Sequence, residues 1–286
     1  TGMRKFMSAL VLLGLVACVY NMIVNFQGLM SITSIRNPYE VHFSSFFLNR
    51  NNFGQFLLFA IMANTFLLVT NRTTRYILAN YGILLINLFA TLSRTAIFSV
   101  FIFLLMFSFI RSKKKSLFMI CAILVVLLGL VFFEVSQHNS GFIRNMMLRP
   151  QAGTTGRTRL WQEGLRILDQ TSWILGTGYL TGRDLLVSGT QFHNFFIEAL
   201  VGGGTTELLI FLVFFGLFFG SVRRRICKFN KVVGAFYTAA YISVFAYALF
   251  ESASFFSMGF VDSIFTIFLI TVPALYANNA KKQTLS

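Results

Sequence analysis

Apolar stretches of about 20 residues recur along this chain and constrain its fold more than any other feature, because that length lets an α-helix cross a bilayer. Only 12% of the residues are charged, whereas soluble domains carry about a quarter. The sequence therefore predicts an all-α fold, a polytopic transmembrane helical bundle of about eight spans. The candidate spans are residues 6–25, 53–70, 76–92, 95–110, 117–133, 205–222, 233–250 and 255–275.

The stretch 76–110 decides the number of spans. As one helix it would be roughly 50 Å long, too long for a single crossing. Its only charge is Arg94, and basic residues flank both of its ends. Since basic flanks favour the cytoplasm, the chain is expected to cross twice here and to turn near Ser93-Arg94. The first run lacks a small-residue cleavage site at its end, so we interpret it as a span rather than a signal peptide. Both termini are then cytoplasmic.

The basic residues are distributed unevenly between the two predicted faces. The net charge of +15 is explained by cytoplasmic loops, and no nucleic-acid partner is expected. Every lysine falls on the predicted inner side, whereas the outer side carries only arginine. Arginine suits bidentate binding of phosphate or carboxylate. The alternative is that translocated segments simply avoid lysine. The three cysteines show neither disulfide nor metal-ligand spacing.

One large hydrophilic segment, about residues 134–191, lies between the fifth and sixth spans, and a segment this long is usually functional or disordered. Its centre, "TTGRTRLWQEGLRILDQ", predicts an amphipathic helix lying along the membrane surface. Arg157 and Arg159 in the first turn oppose the helix dipole, so they favour an anion site there. Docking of a basic face on lipid headgroups is the alternative. The predicted apolar stripe consists of Leu160, Trp161, Gly164, Leu165 and Leu168.

Two short motifs follow this helix. In "WILGTGYLTG", Gly176 and Gly178 predict a tight loop, and the lack of strand context excludes a dinucleotide site. In "FHNFFIEALVGGG", a short helix is expected from His193 to Val201, broken by the three glycines. A histidine at the interface can act as a general base on a sugar hydroxyl, although a packed histidine is the more common case.

Further charges lie near the predicted outer ends of spans. Arg50 lies at the entrance of the second span and Arg94 lies at the tip of a hairpin. Arginine at membrane depth indicates a functional site unless it snorkels to the headgroups. Glu251 lies at a predicted outer turn, where exposure would explain it. Asp262, inside the last span, needs a polar neighbour.

Taken together, five stretches resemble the O-antigen ligase and O-antigen polymerase superfamily of bacterial membrane glycosyltransferases. They are "FLNRNNFG" (47–54), "LSRTA" (92–96), "GRTRLWQEG" (156–164), "LGTG" (175–178) and "FHNFFIEALVGGG" (192–204). The chain departs from that family in having fewer spans than the usual ten or more, and in lacking a proline before the glycine turn.

The resemblance implies an all-helical GT-C fold, here one membrane domain (1–286) with an extracytoplasmic catalytic segment (134–204). It also implies transfer of a glycan from an undecaprenyl-diphosphate donor to a glycan acceptor, with no metal or other cofactor. His193 would activate the acceptor hydroxyl. Arg94, Arg157 and Arg50 would bind the diphosphate, with Arg159 as a further ligand. From their spacing, Asn194 and Glu198 are expected to orient His193 or contact sugar.

The expected function is therefore glycan transfer on the outer face of the bacterial cytoplasmic membrane. A composition rich in Asn and Phe suggests a low-GC genome without lipopolysaccharide. This favours polymerisation of polysaccharide repeat units over O-antigen ligation. The alternatives are a transporter or flippase for a lipid-linked or anionic solute and a non-catalytic scaffold. A transporter would be expected to show internal repeats, and we find none in the sequence.

Overall fold

The computed structural model describes residues 2–30, 43–70, 74–113, 115–116, 156–178, 184–186, 191–252, 263–264 and 266–283, and within them regular structure is entirely helical. The predicted fifth span (117–133) and Asp262 lie outside these residues. The helices are α1 (Gly2–Val24), α2 (Phe26–Met30), α3 (Arg50–Thr70), α4 (Thr74–Ala90), α5 (Arg94–Arg111), α6 (Arg157–Gln170), α7 (Phe195–Phe229), α8 (Lys231–Ala248), a π-helical turn (Ile267–Thr271) and α9 (Val272–Gln283).

Five described helices are long and apolar enough to cross a membrane, namely α1, α3, α5, α7 and α8. Two shorter apolar stretches, Tyr76–Ala90 and Ile267–Asn278, coincide with further predicted spans. The predicted all-α polytopic bundle is confirmed. Helix α9 continues beyond the predicted end of the last span at residue 275, to Gln283. Pro273 lacks the N–H that would bond to the carbonyl of Leu269, which lies within the π-helical turn.

The chain divides into two compact units, residues 1–151 with 238–243 and residues 152–237 with 244–286. In the first unit α3 forms the core, and α1, α4 and α5 pack against it. Every residue of α3 from Phe53 to Leu67 is buried, as expected for a helix that is apolar all round. A Cβ on Gly14 of α1 would lie only 2.7 Å from the Cβ of Ala60. Small residues therefore allow α1 and α3 to approach closely.

Buried amides join the helices of this first unit. Asn21 Nδ2 of α1 donates to Asn87 Oδ1 of α4 at 2.9 Å. Asn64 Nδ2 of α3 donates to the carbonyl of Ile77 at 2.9 Å. Such bonds stabilise helix contacts in an apolar medium, where an unpaired amide is costly.

The predicted turn between the third and fourth spans is confirmed. Helix α4 ends at Ala90 and α5 begins at Arg94. Leu92 takes a left-handed conformation, with φ of 53°, and Ser93 N donates to Thr91 Oγ1 at 3.1 Å. Two helices joined by a turn just before Arg94 thus replace the single long helix that apolarity alone would allow.

In the second unit, α6 packs its apolar face against α7 and the residues just before it. A buried cluster joins Ile167 and Leu168 of α6 to Phe192 and Val201. Of the predicted stripe, Gly164 and Leu168 are buried in this packing, whereas Leu165 is exposed. Because successive helical residues are about 100° apart, the face centred on Gly164, Ile167 and Leu168 turns Leu165 away from the protein.

Helix α7 contains the predicted glycine break. Gly204 has φ of 68° and ψ of −165°, and the helix resumes after it. The predicted helix start at His193 is wrong by two residues, because α7 begins at Phe195 with Asn194 as its N-cap. The helix continues beyond the predicted span end at residue 222, to Phe229.

The loop 173–178 is hydrogen-bonded along the kinked segment 201–206, an arrangement we call the glycine clamp. Thr177 N donates to Val201 O at 2.9 Å, Gly178 N to Gly202 O at 2.7 Å, and Thr205 N to Trp173 O at 2.8 Å. A Cβ on Gly176 would lie 2.5 Å from Gly202 O. The predicted tight loop is therefore present, and its glycines permit backbone-to-backbone contact.

Candidate active site

His193 lies between two residues whose positions are fixed by packing and hydrogen bonds. The ring of Phe192 is buried in the α6–α7 cluster, and its carbonyl accepts a 2.8 Å bond from Trp161 Nε1. His193 itself has φ of 51°, a left-handed conformation that is uncommon outside glycine and is often found at functional sites.

Asn194, on the other side of His193, caps α7. Its Oδ1 accepts hydrogen bonds from Phe196 N at 2.9 Å and Ile197 N at 3.1 Å. The cap satisfies two backbone donors at the helix N-terminus. Because Oδ1 is used in the cap, Asn194 would contact sugar, as predicted, through its Nδ2 group. The cap also explains why an asparagine suits this position.

Glu251 is the partner of His193. It lies just beyond the end of α8, yet only 7% of the residue is exposed, so its expected exposure is wrong. His193 Nδ1 lies 3.1 Å from Glu251 Oε2, and Arg157 Nη2 donates to Glu251 Oε1 at 2.6 Å. Each carboxylate oxygen thus has its own partner, which is why the acid can be buried.

This geometry assigns different tasks to the two ring nitrogens of His193. An ionised carboxylate only accepts hydrogen bonds, so it favours the tautomer with the proton on Nδ1. Nε2 then carries the lone pair. About a third of the side chain (34%) is exposed, which makes the ring accessible. A histidine held in this way can remove a proton from a hydroxyl group.

A second contact joins the same two segments. Ser252 Oγ donates to Glu198 Oε1 at 2.7 Å. The turn at 251–252 therefore brings adjacent residues to His193 and to the first turn of α7. An acid in that first turn is also favourable for the helix dipole.

The two arginines predicted in the first turn of α6 lie in different surroundings. Arg157 is partly buried and paired with Glu251. Arg159 is exposed, because two residues along a helix correspond to a rotation of about 200°. The structure therefore brings Arg157, but not Arg159, to His193. The pair with Glu251 uses one of the N–H groups of Arg157, out of the five that a guanidinium carries.

Arg50 and Arg94 belong to the first compact unit, where they begin α3 and α5. A Cβ on Gly54 of α3 would lie 3.0 Å from the Cβ atoms of both Ser93 and Ala96. The N-terminal ends of α3 and α5 are thus adjacent, and both arginines begin helices at this end of the unit. Within the described part of the chain, the buried Oγ of Ser93 makes no hydrogen bond.

Sequence reasoning missed Glu251 as a partner of the histidine. The two residues are 58 positions apart and share no helix, so no spacing pattern relates them. The one available signal is a carboxylate between the last two predicted spans. Among the described residues, no group of three or more His, Cys, Asp or Glu side chains could hold a metal ion.

The helices and this cluster define a multi-pass membrane protein with a histidine–carboxylate–arginine site. Residues 79–212 match the model of a family described as O-antigen ligase. This match supports the resemblance to the O-antigen ligase and polymerase superfamily seen in the sequence. Among curated proteins, none matches the chain.

The family match supports O-antigen ligase-type glycosyl transfer as the general function, and it implies lipid-linked glycan substrates in a membrane setting. The matched segment includes Arg94, Arg157 and His193. Arg50 precedes it and Glu251 follows it.

Proposed function

We propose that the protein is a metal-independent glycosyltransferase that polymerises polysaccharide repeat units on the outer face of the bacterial cytoplasmic membrane. The donor is a glycan carried on undecaprenyl diphosphate, and both chain termini are cytoplasmic. The observation that carries the proposal is the position of His193, whose Nδ1 lies 3.1 Å from a carboxylate that also pairs with Arg157. A general base and an anion-binding group thus lie within one hydrogen-bonded cluster.

The reaction is a displacement at the anomeric carbon of the donor. The acceptor hydroxyl transfers its proton to His193 Nε2 as its oxygen bonds to that carbon. The bond between the carbon and the diphosphate oxygen breaks, and the electron pair leaves with undecaprenyl diphosphate. Glu251 stabilises the imidazolium that forms, in the way that a buried carboxylate serves a catalytic histidine in other enzymes.

Arginines stabilise the negative charge that builds on the leaving diphosphate. Arg157 is the nearest candidate, since it lies in the same cluster as His193 and retains N–H donors that the Glu251 pair does not use. Arg94 and Arg50 are assigned to the donor by the family resemblance and by their common position at the helix ends of the first unit. Arg159 is a further ligand with weaker support, because it faces away from the cluster.

Glu198 and Asn194 complete the proposed site. Glu198 accepts a hydrogen bond from Ser252 and lies one helical turn after the Asn194 cap. Its position suits contact with sugar hydroxyls. Polymerisation is favoured over ligation by the low-GC composition alone, and the residues of the cluster serve either acceptor. A transporter or flippase for a lipid-linked solute remains the alternative, and it would not require a base.

Product analysis tests the proposal. Membranes containing wild-type protein, His193→Ala or His42→Ala are given a lipid-linked oligosaccharide repeat, and the products are separated by size. His42→Ala serves as the matched control, because it removes a histidine that has no role in the proposed reaction. We expect wild type and the control to lengthen the glycan, and His193→Ala to bind the donor without turnover.

The outcome separates the candidate functions. Transfer of the glycan to a lipid acceptor in place of chain growth would identify a ligase. Full turnover by His193→Ala would refute the role of His193 as base. Donor movement across vesicles without any transfer would support the transporter.

A further inference from the structure

Three consecutive large apolar residues are exposed in the turn that follows α6. We call Trp173, Ile174 and Leu175 the WIL turn; their exposed fractions are 44, 65 and 69%. Exposed apolar groups of this size need a partner more often than scattered surface residues do. The active site described above does not use them.

The backbone of the WIL turn is held in place, so its side chains are presented from a fixed position. Trp173 O accepts from Thr205 N at 2.8 Å, and Ile174 O accepts from Thr206 N at 3.3 Å. Leu175 N donates to Ser172 Oγ at 3.2 Å. The bonds from Thr205 and Thr206 belong to the glycine clamp and attach the turn to the kink of α7, whereas the bond to Ser172 lies within the turn.

The same attachment places the turn next to the apolar surface of a membrane-spanning helix. Just beyond Thr206, α7 presents a series of exposed apolar side chains, which in a spanning helix face lipid. The helix axis advances by about 6 Å between Thr206 and Ile210, the second residue of this series. The series consists of Leu209, Ile210, Leu212, Val213, Phe214 and Leu217.

Trp173 has the chemistry of a residue at the membrane interface. Its Nε1 donates to Asp169 Oδ1, on the polar side of α6, at 2.9 Å, while its ring remains exposed. Tryptophan is enriched at the boundary between headgroups and hydrocarbon, because one edge of the indole is polar and the rest is apolar. The hydrogen bond to Asp169 satisfies the polar edge within the protein.

We propose that the WIL turn inserts into the bilayer at this boundary, beside the start of the lipid-facing part of α7. The turn contacts the acyl region of the membrane, because its side chains continue the lipid-facing surface of α7. Insertion fixes the depth of α6, and α6 in turn holds the carbonyl of Phe192 next to His193. The proposal rests on α7 crossing the membrane and does not depend on the proposed reaction.

The chain offers a direct test, because Trp161 and Trp173 are its only tryptophans. The Trp161→Phe protein reports on Trp173 alone, and Trp173→Phe reports on Trp161 alone. Each full-length protein is reconstituted into phosphatidylcholine vesicles with or without bromine on the acyl chains. Bromine quenches a tryptophan only at short range, whereas aqueous iodide quenches one that is in water.

We expect brominated lipid to remove most of the Trp173 emission and iodide to remove little of it. Trp161, whose Nε1 bonds to Phe192 O inside the α6–α7 packing, should respond much less to brominated lipid. Replacing Ile174 and Leu175 with serine in the Trp161→Phe protein should weaken the quenching by lipid. Both side chains are exposed, so this double change should leave the fold intact.

Two results would overturn the proposal. Quenching of Trp173 by iodide and not by brominated lipid would show that the turn lies in water. Protection from both quenchers would show that protein covers it, either elsewhere in this chain or in a second copy. Neither readout requires turnover, so an inactive preparation does not affect the test.

Discussion

Replacement of Glu251 by glutamine should separate the orientation of the histidine from the fold around it. Glutamine keeps the shape of the side chain and its carbonyl oxygen, but it loses the charge and gains an N–H donor. That donor can bond to His193 Nδ1 and shift the ring proton to Nε2, the atom proposed to receive the proton of the acceptor. The base would then be blocked while the ring remains in place.

The magnitudes follow from the contacts of Glu251. General-base catalysis contributes roughly 10²- to 10⁴-fold, so Glu251→Gln should lower kcat by an amount in that range and change KM little. Loss of a partner for a buried charge costs up to about 3–5 kcal/mol. Because glutamine still accepts a hydrogen bond from Arg157, we expect the free energy of unfolding to fall by only about 1–3 kcal/mol.

The assay compares initial rates of glycan transfer by wild type, Glu251→Gln, His193→Ala and the double variant. If Glu251 acts only through His193, the double variant should be no slower than His193→Ala. Asp184→Asn is the matched control, since it makes the same chemical change at an exposed carboxylate. Wild-type kcat in Glu251→Gln, together with an inactive His193→Ala, would refute the orienting role. Losses that multiply in the double variant would also refute it.

Three further predictions concern the fold, each measured by thermal unfolding of purified protein. Gly176→Ala should destabilise the protein by at least about 1–2 kcal/mol, because residue 176 takes a left-handed conformation. Gly216→Ala, where an added Cβ meets open space, should not destabilise it. Equal stability of the two variants would contradict the glycine clamp. Asn194→Ala should cost about 1 kcal/mol through loss of the cap, and Asn194→Asp should restore it; no recovery would argue against capping. Asn21→Leu should destabilise the protein by about 1–3 kcal/mol, because Asn87 Oδ1 loses its donor while Asn87 Nδ2 still donates to Ile83 O. An unchanged unfolding temperature would exclude a stabilising bond.

The general fold could be predicted because a bilayer imposes length and apolarity directly on the sequence. The turn at Arg94 followed from one charge in an apolar stretch with basic flanks. The kink at Gly204 followed from three consecutive glycines. Helix ends were less predictable, because caps and not apolarity decide them, as Asn194 and the extension of α7 to Phe229 illustrate.

The candidate site could be predicted only in part. His193 and Arg157 were identifiable because charged residues are rare in this chain and these two lie in polar segments. Glu251 was not, because its role depends on a tertiary contact between the start of α7 and the turn after α8. The burial of Ile167 and the exposure of Leu165 were not predictable for a related reason, since the direction from which Phe192 packs against α6 is not encoded in α6 itself.

The αL conformation of His193 is informative about how this site is built. A non-glycine residue in that region costs of order 1–3 kcal/mol, and a glycine here would avoid the cost. The strain persists because both neighbours are fixed, Phe192 by its buried ring and by Trp161, and Asn194 by the cap on α7. Together they leave the histidine backbone no relaxed alternative, and they turn its ring toward Glu251. The neighbouring residues Phe192 and Asn194 therefore fix the position of His193, and its ring needs only one further contact, from Nδ1 to Glu251.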